Sequence, residues 1–312
     1  MITEVGFLGL GVMGRPMAEN LASAFDGRVK VYDSGAERVA ALSKHEAWGQ
    51  RLSGACGLQD FAGCGVVVTM LPNSLITNQV ILGHEGRPGL LQVLRPGAVV
   101  IDMGSSNPDD TQRLARRLEQ AGLHFVDAPV SGAVTKARTG KLSIMIGGDD
   151  AIVERVRPLL ECMGDTLIRT GRVGSAHALK ALNNYVYAAG LLAVCEATAL
   201  ARSMGIDPQI LATVLNASSG RNVASETKLV QHIIPAQFNA GFALRLQAKD
   251  LATADQVRRT AGVEAPQLSL CAALWADAER TLPPGADNTA LYEFISTRSR
   301  DPGDRKEVGA AV

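Results

Sequence analysis

Val5-Gly6-Phe7-Leu8-Gly9-Leu10-Gly11-Val12-Met13-Gly14-Arg15-Pro16-Met17 is the stretch on which the fold turns. Val5–Leu8 reads as a short apolar strand and Arg15–Ala24 as a helix, and the six residues between them follow Gly-x-Gly-x-x-Gly. On its own that hexad fits any glycine-rich turn between a strand and a helix. Its surroundings narrow it. Val29–Tyr32 forms a second strand ending in Asp33, about 20 residues beyond the glycines, where the ribose of a dinucleotide needs an acceptor. Gly9 then permits the tight turn, Gly11 lets the backbone approach a pyrophosphate, and Gly14 lets helix and sheet pack closely. Leu10, Val12 and Met13 complete the turn. The free N–H groups opening the next helix offer a positive dipole end to phosphate. Asp33 predicts NAD over NADP, because a 2′-phosphate would set a second anion against its carboxylate. Ser34 is neutral, and the nearest basic residue beyond it is Arg38, one helical turn away.

Outward from this turn the same alternation continues. Val66–Met70 and Ala98–Asp102 are buried-type strands, Pro108–Ala121 is a helix with Asn107 placed as N-cap, and His124–Val126 and Leu142–Ile146 are further strands. Strands alternating with helices predict βαβ units and an α/β, Rossmann-type doubly wound parallel sheet over residues 1–170. Beyond Thr170 the strand signals stop. Residues 174–203 form a long Ala-, Leu- and Val-rich helix, with more helices over 207–217, 223–231, 248–261 and 266–280, so an all-α domain is expected over 171–296. Residues 297–312 read as a polar tail.

Composition excludes several classes. The 312 residues hold 31 Lys plus Arg against 31 Asp plus Glu, so no whole-chain attraction to nucleic acid or anionic membrane is expected. The five cysteines are odd in number with no CxxC pair, and the histidines are scattered, which predicts neither a disulfide framework nor a metal site. The chain reads as a strand almost from its first residue, and the apolar run Tyr185–Cys195 is shorter than the roughly 20 residues a bilayer needs. A cytoplasmic protein follows as the expectation. Small residues along 176–203 predict close helix packing in a homodimer or homotetramer.

Three polar constellations stand out. Asp127-Ala128-Pro129-Val130-Ser131-Gly132-Ala133 follows a strand, at the carboxyl edge where open α/β sheets bind ligands. The Ser131 hydroxyl and nearby N–H groups could hold a carboxylate, or the segment is an ordinary loop. Lys180 and Asn184 lie one turn apart in a strongly apolar helical stretch, as a functional pair or as a solvated face that Asn183 extends. Lys249-Asp250, read alone, is a solvated pair near a helix start.

Together these stretches resemble the β-hydroxyacid dehydrogenase family. Gly9–Leu21 is similar to its first signature; Asp127–Gly132 with Gly140, Leu142, Met145, Gly147 and Gly148 to its substrate signature; Gly171 and Gly174 with Lys180–Asn184 to its catalytic signature; and Lys249-Asp250-Leu251 to its C-terminal cofactor signature. The resemblance implies that Lys180 is the catalytic lysine and Asn184 its partner in holding substrate. Ser131 and Gly132 would hold the substrate's carboxylate side, while Leu71, Pro72, Ser105 and Lys249 would contact the cofactor. It further implies reversible oxidation of a small hydroxy acid of the 3-hydroxyisobutyrate type, with tartronate semialdehyde reduction as the alternative. An imine reductase would carry another residue in place of Lys180, and a non-catalytic scaffold would have lost it. Arg221 and Asn222 are candidates for reading the far end of the substrate, or form a surface loop. This sequence departs from the family pattern at Gly104, Ala133, Lys136 and Ala176, and Ala133 and Lys136 bear on the shape of the substrate site.

Overall fold

The computed structural model describes residues 2–298. Of the polar tail expected over 297–312, Thr297 and Arg298 end the last helix and the remainder lies outside the described residues. The backbone divides into two compact units between Ala181 and Leu182.

The first unit contains β1 (Glu4–Leu8), α1 (Gly14–Ala24), β2 (Arg28–Tyr32), α2 (Ala36–Ala41), β3 (Leu52–Gly54), β4 (Val66–Thr69), α3 (Ser74–Leu82), α4 (Leu90–Val93), β5 (Val99–Asp102), α5 (Pro108–Gln120), β6 (His124–Asp127), β7 (Val130–Ser131), α6 (Ala133–Arg138), β8 (Leu142–Gly147), α7 (Asp150–Glu161) and β9 (Gly164–Gly171). Strands β1 to β6 pair in parallel in the order 3-2-1-4-5-6, the Rossmann order. β8 continues the sheet antiparallel to β6 and β7, and β9 runs parallel to β8. The unbroken runs Val66-Val67-Val68 and Val99-Val100-Ile101 follow from burial on both faces, because successive side chains of a strand point to opposite sides. Val66, Val68, Val99 and Ile101 join a core with Met17 and Leu21 of α1. Val67 and Val100 join the other, with Ile81, Leu114 and Leu118.

α8 (Ser175–Ser203) crosses the division between the units. In the second unit follow α9 (Pro208–Ala217), a π-type helix (Ala224–Ile233), α10 (Leu244–Ala261), α11 (Pro266–Thr281) and α12 (Leu291–Arg298). On length and composition α8 could cross a membrane. Its buried residues Asn184, Ala188, Leu191, Cys195 and Thr198 nevertheless recur at alternating steps of four and three, the spacing of a helix packed along one stripe within protein.

Several elements were not anticipated. α3, α6, α7, β7 and β9 carry no expectation above. α7 includes Pro158 within its span, and β9 is largely polar and exposed.

Candidate active site

At the carboxyl edge of β1 the glycines answer steric demands. Gly9 has φ of +95°, and a Cβ there would lie 2.3 Å from the Met70 carbonyl oxygen. A Cβ on Gly14 would lie 1.9 Å from the Gly9 carbonyl oxygen. Gly11 differs: nothing stands within 4 Å of its Cβ position, and the next residue, Val12, is 74% exposed. α1 opens behind it with no side-chain cap and no acidic residue in its first turn. A tight turn, an open cradle and an uncapped helix start fit a dinucleotide pyrophosphate.

Asp33 follows β2 directly, with its carboxylate turned into this turn. Its Oδ2 accepts from Leu10 N (2.7 Å) and its Oδ1 from Gly35 N (2.8 Å), and Arg38 Nη1 lies 3.3 Å from Oδ1. Burial pushes the Asp33 carboxyl up, but the Gly35 and Leu10 N–H groups and the Arg38 guanidinium outweigh it and hold it below the usual carboxylate range. Arg38, one helical turn away in the sequence, therefore touches the residue expected to choose the cofactor.

Leu71 lies between the ends of three strands. Its Cδ2 is 3.1 Å from the Cβ position of Gly9, and its carbonyl oxygen is 2.8 Å from that of Gly104, after β5. Pro72 is exposed and Ser105 is half-buried. A side chain at position 104 would need the Leu71 backbone to shift, so the departure at Gly104 accompanies close packing here.

Two buried carboxylates organise the far edge of the sheet. Asp102 accepts Thr69 Oγ1 (3.0 Å) and Gly104 N (3.1 Å) on Oδ1 and Ser106 Oγ (2.6 Å) on Oδ2. Asp127 is fully buried and accepts Gly174 N (2.9 Å), Ala176 N (2.9 Å) and His177 N (3.0 Å). A carboxylate on these N–H groups satisfies donors at the start of α8 that the helix cannot, and favours the positive end of its dipole. Gly147 makes room for it, since a Cβ there would lie 2.5 Å from Asp127 Oδ1. Asp127 thus fixes the first turn of α8, from which half-buried Lys180 projects one turn later. This role was missed in the sequence, although an acid ending a strand and a helix start without its own cap were both visible. His177 Nδ1 lies 2.7 Å from Thr111 Oγ1, and its Nε2 is 3.7 Å from Asp102 Oδ2.

Ser131 pairs with Ser143 across β7 and β8 and is half-buried. Gly132 has φ of +135°, and Ala133 is left-handed at +55°, a conformation that the family's usual glycine takes without strain.

The second unit draws together two of the expected residues. Asn184 is buried; its Nδ2 donates to Asp250 Oδ2 (2.5 Å), and its Oδ1 accepts from Asn183 (3.1 Å). Lys249 Nζ lies 3.0 Å from Asp250 Oδ1. Lys249-Asp250 is therefore not the solvated pair its local sequence suggests. Asp250 is 3% exposed, turned inward by the Asn184 amide. Exposed Arg221 pairs with Glu226, and Asn222 accepts Ala224 N and Ser225 N, as in a surface turn.

Two family profiles cover this chain. The NAD binding domain of 6-phosphogluconate dehydrogenase matches residues 4–171, and the NAD-binding domain of NADP-dependent 3-hydroxyisobutyrate dehydrogenase matches residues 174–295. The chain belongs to the β-hydroxyacid dehydrogenase family. Among its relatives, 2-(hydroxymethyl)glutarate dehydrogenase of Eubacterium barkeri is 33% identical over 270 residues, covering 86% of each chain. The 2-hydroxy-3-oxopropionate reductase of Escherichia coli is 32% identical over 295 residues, covering 94% of this chain and 97% of that one. The structure of Mycobacterium tuberculosis 3-hydroxyisobutyrate dehydrogenase with L-serine superposes with a TM-score of 0.84 at 29% identity, covering 95% of this chain and 99% of that one. The protein is accordingly an oxidoreductase acting on CH–OH groups of hydroxy acids, with NAD(P)-binding domains.

Proposed function

We propose that this β-hydroxyacid dehydrogenase oxidises a small β-hydroxy acid reversibly, with NAD ahead of NADP and Lys180 as the group that exchanges the hydroxyl proton. The observation that carries the reading is the Asp127 clamp on the first turn of α8, which holds the segment bearing Lys180 at the carboxyl edge of β6. A bound nicotinamide supplies the hydride acceptor. Neutral Lys180 takes the hydroxyl proton as the carbinol becomes a carbonyl, and protonated Lys180 returns it in reduction. Ser131 donates its hydroxyl hydrogen to the substrate carboxylate, with the Gly132 backbone beside it. Asn184, already committed to Asp250 and Asn183, keeps one amide N–H for substrate.

Asp33 supports NAD because a carboxylate following β2 would repel a 2′-phosphate brought near it. Arg38 beside it supports a residual use of NADP. The test is an initial-rate panel with both cofactors against 3-hydroxyisobutyrate, 2-(hydroxymethyl)glutarate and L-serine, with 2-hydroxy-3-oxopropionate in the reducing direction. Turnover of at least one, with kcat/KM for NAD at least about tenfold above NADP, or 1.4 kcal/mol, is expected. No turnover on any would remove the substrate reading, and a preference for NADP would reverse the reading of Asp33.

A further inference from the structure

Between Asp127 and Asp149 the chain carries Lys136, Arg138 and Lys141 and no acidic residue. All three cations are exposed, and among the described residues none has an ion-pair partner. Elsewhere in this unit Arg15, Arg28, Lys30, Arg38, Arg113, Arg157 and Arg169 are each paired with a carboxylate, while others such as Lys44, Arg116 and Arg117 have no ion-pair partner among the described residues. Unpaired cations gathered on one segment raise the local potential and attract anions.

Lys136 is set apart by where its stem lies. Helical side chains lean toward the N-terminus of their helix, so Lys136 reaches back from α6 over the residue one turn earlier, Gly132. The approach is close: a Cβ on Gly132 would lie 2.6 Å from Lys136 Cδ and 2.8 Å from its Cβ. The stem thus fills the space beside Gly132, and the ammonium sits two bonds beyond Cδ. Ser131, the preceding residue, has a hydroxyl with no hydrogen bond among the described residues. An uncommitted donor and an unpaired cation flank one loop.

We infer that Lys136 reads a second anionic group on the substrate, so that the substrate class is a β-hydroxy acid bearing a further carboxylate. The inference rests on the reading of Ser131 and Gly132 as holders of the substrate's own carboxylate. Lys136 adds selectivity and takes no part in the proton or hydride step.

Three substrates separate charge from size. 2-(Hydroxymethyl)glutarate carries a second carboxylate, 3-hydroxyisobutyrate a methyl group, and L-serine an ammonium. The wild type should rank them in that order by kcat/KM. Lys136→Met keeps the stem over Gly132 and removes the charge. It should lower the ratio of 2-(hydroxymethyl)glutarate to 3-hydroxyisobutyrate at least about threefold, the scale of a solvent-exposed ion pair. Added salt should lower the same ratio in the wild type and leave it flat in the variant, while Lys136→Arg should keep it. An unchanged ratio in Lys136→Met would overturn the inference. So would an equal loss on both acids, which would put Lys136 on the carboxylate they share. Absence of wild-type turnover on every hydroxy acid would instead remove the dehydrogenase reading, and this inference with it.

Discussion

Two loops of the first unit, Gly9–Gly14 after β1 and Ser131–Lys136 at the end of β7, both leave the sheet and both lead into a helix. In the first, backbone crowding fixes the residue types: a side chain on Gly9 or Gly14 would strike a carbonyl oxygen, and only Gly11 faces open space. In the second, side chains decide. Ala133 sits in a left-handed conformation that glycine would take more easily, and the Lys136 stem covers Gly132. The difference teaches where variation is affordable in such an enzyme. The glycine-rich loop, proposed to hold the cofactor, is closed by sterics, and the Ser131–Lys136 loop, proposed to hold the substrate, carries two of the four departures from the family pattern, Ala133 and Lys136.

The largest effect should come from the open position of the first loop. A Cβ on Gly11 would meet nothing within 4 Å, so Gly11→Val should fold with its melting temperature little changed. Its affinity for NADH, read by fluorescence titration, should nevertheless fall at least about a hundredfold, near 2.8 kcal/mol. Tight NADH binding by the folded variant would mean that the space beside Gly11 is not the pyrophosphate cradle.

A smaller effect, about tenfold, is expected at Asp33. Asp33→Asn should narrow the NAD-to-NADP ratio of kcat/KM, mainly by weakening NAD; a ratio that stays put would take cofactor choice away from this residue. The substitution should also change acid stability. Asp33 is held below the usual carboxylate range, so its contribution is complete above that range and lost as pH falls through its folded value. The acid limb of the wild-type stability profile should therefore flatten in Asp33→Asn.

The smallest effect belongs to the second loop. Left-handed alanine costs about 1–2 kcal/mol, and glycine returns about 0.4–1 kcal/mol of that through unfolded-state entropy, so Ala133→Gly should stabilise by about 0.5–1 kcal/mol in urea denaturation. A destabilised variant would show that Ala133 makes contacts worth more than its strain.

The same contrast explains what was legible in the sequence. β4 and β5 announced themselves as apolar runs, because strands buried on both faces need few polar residues, and β1, β2, β6 and β8 as shorter apolar patterns, β2 alternating Val29 and Val31 with Arg28 and Lys30. α1, α5 and the helices from α8 to α11 were readable from periodicity and from start signals such as Asn107-Pro108. α3 was hidden because Pro72-Asn73-Ser74 reads as a turn, yet Asn73 caps the helix by accepting Ile76 N. α7 was hidden by Pro158, and β9 by the polar residues of a strand with little apolar burial. At the candidate site, the sequence offered residues, but not the long-range partners that the fold gives them. Asp127 looked like part of a loop, and Asp250 like a surface acid, until the chain brought α8 to each.

The most direct test of the account is single-turnover and steady-state kinetics of Lys180→Ala, with NADH affinity measured on the same preparation. The account predicts that kcat falls by about 10²–10⁴-fold, the range of a lost general acid–base, while NADH affinity stays within about twofold of wild type. A variant that keeps more than about a tenth of wild-type kcat, well short of that loss, would contradict the assignment of proton transfer to Lys180.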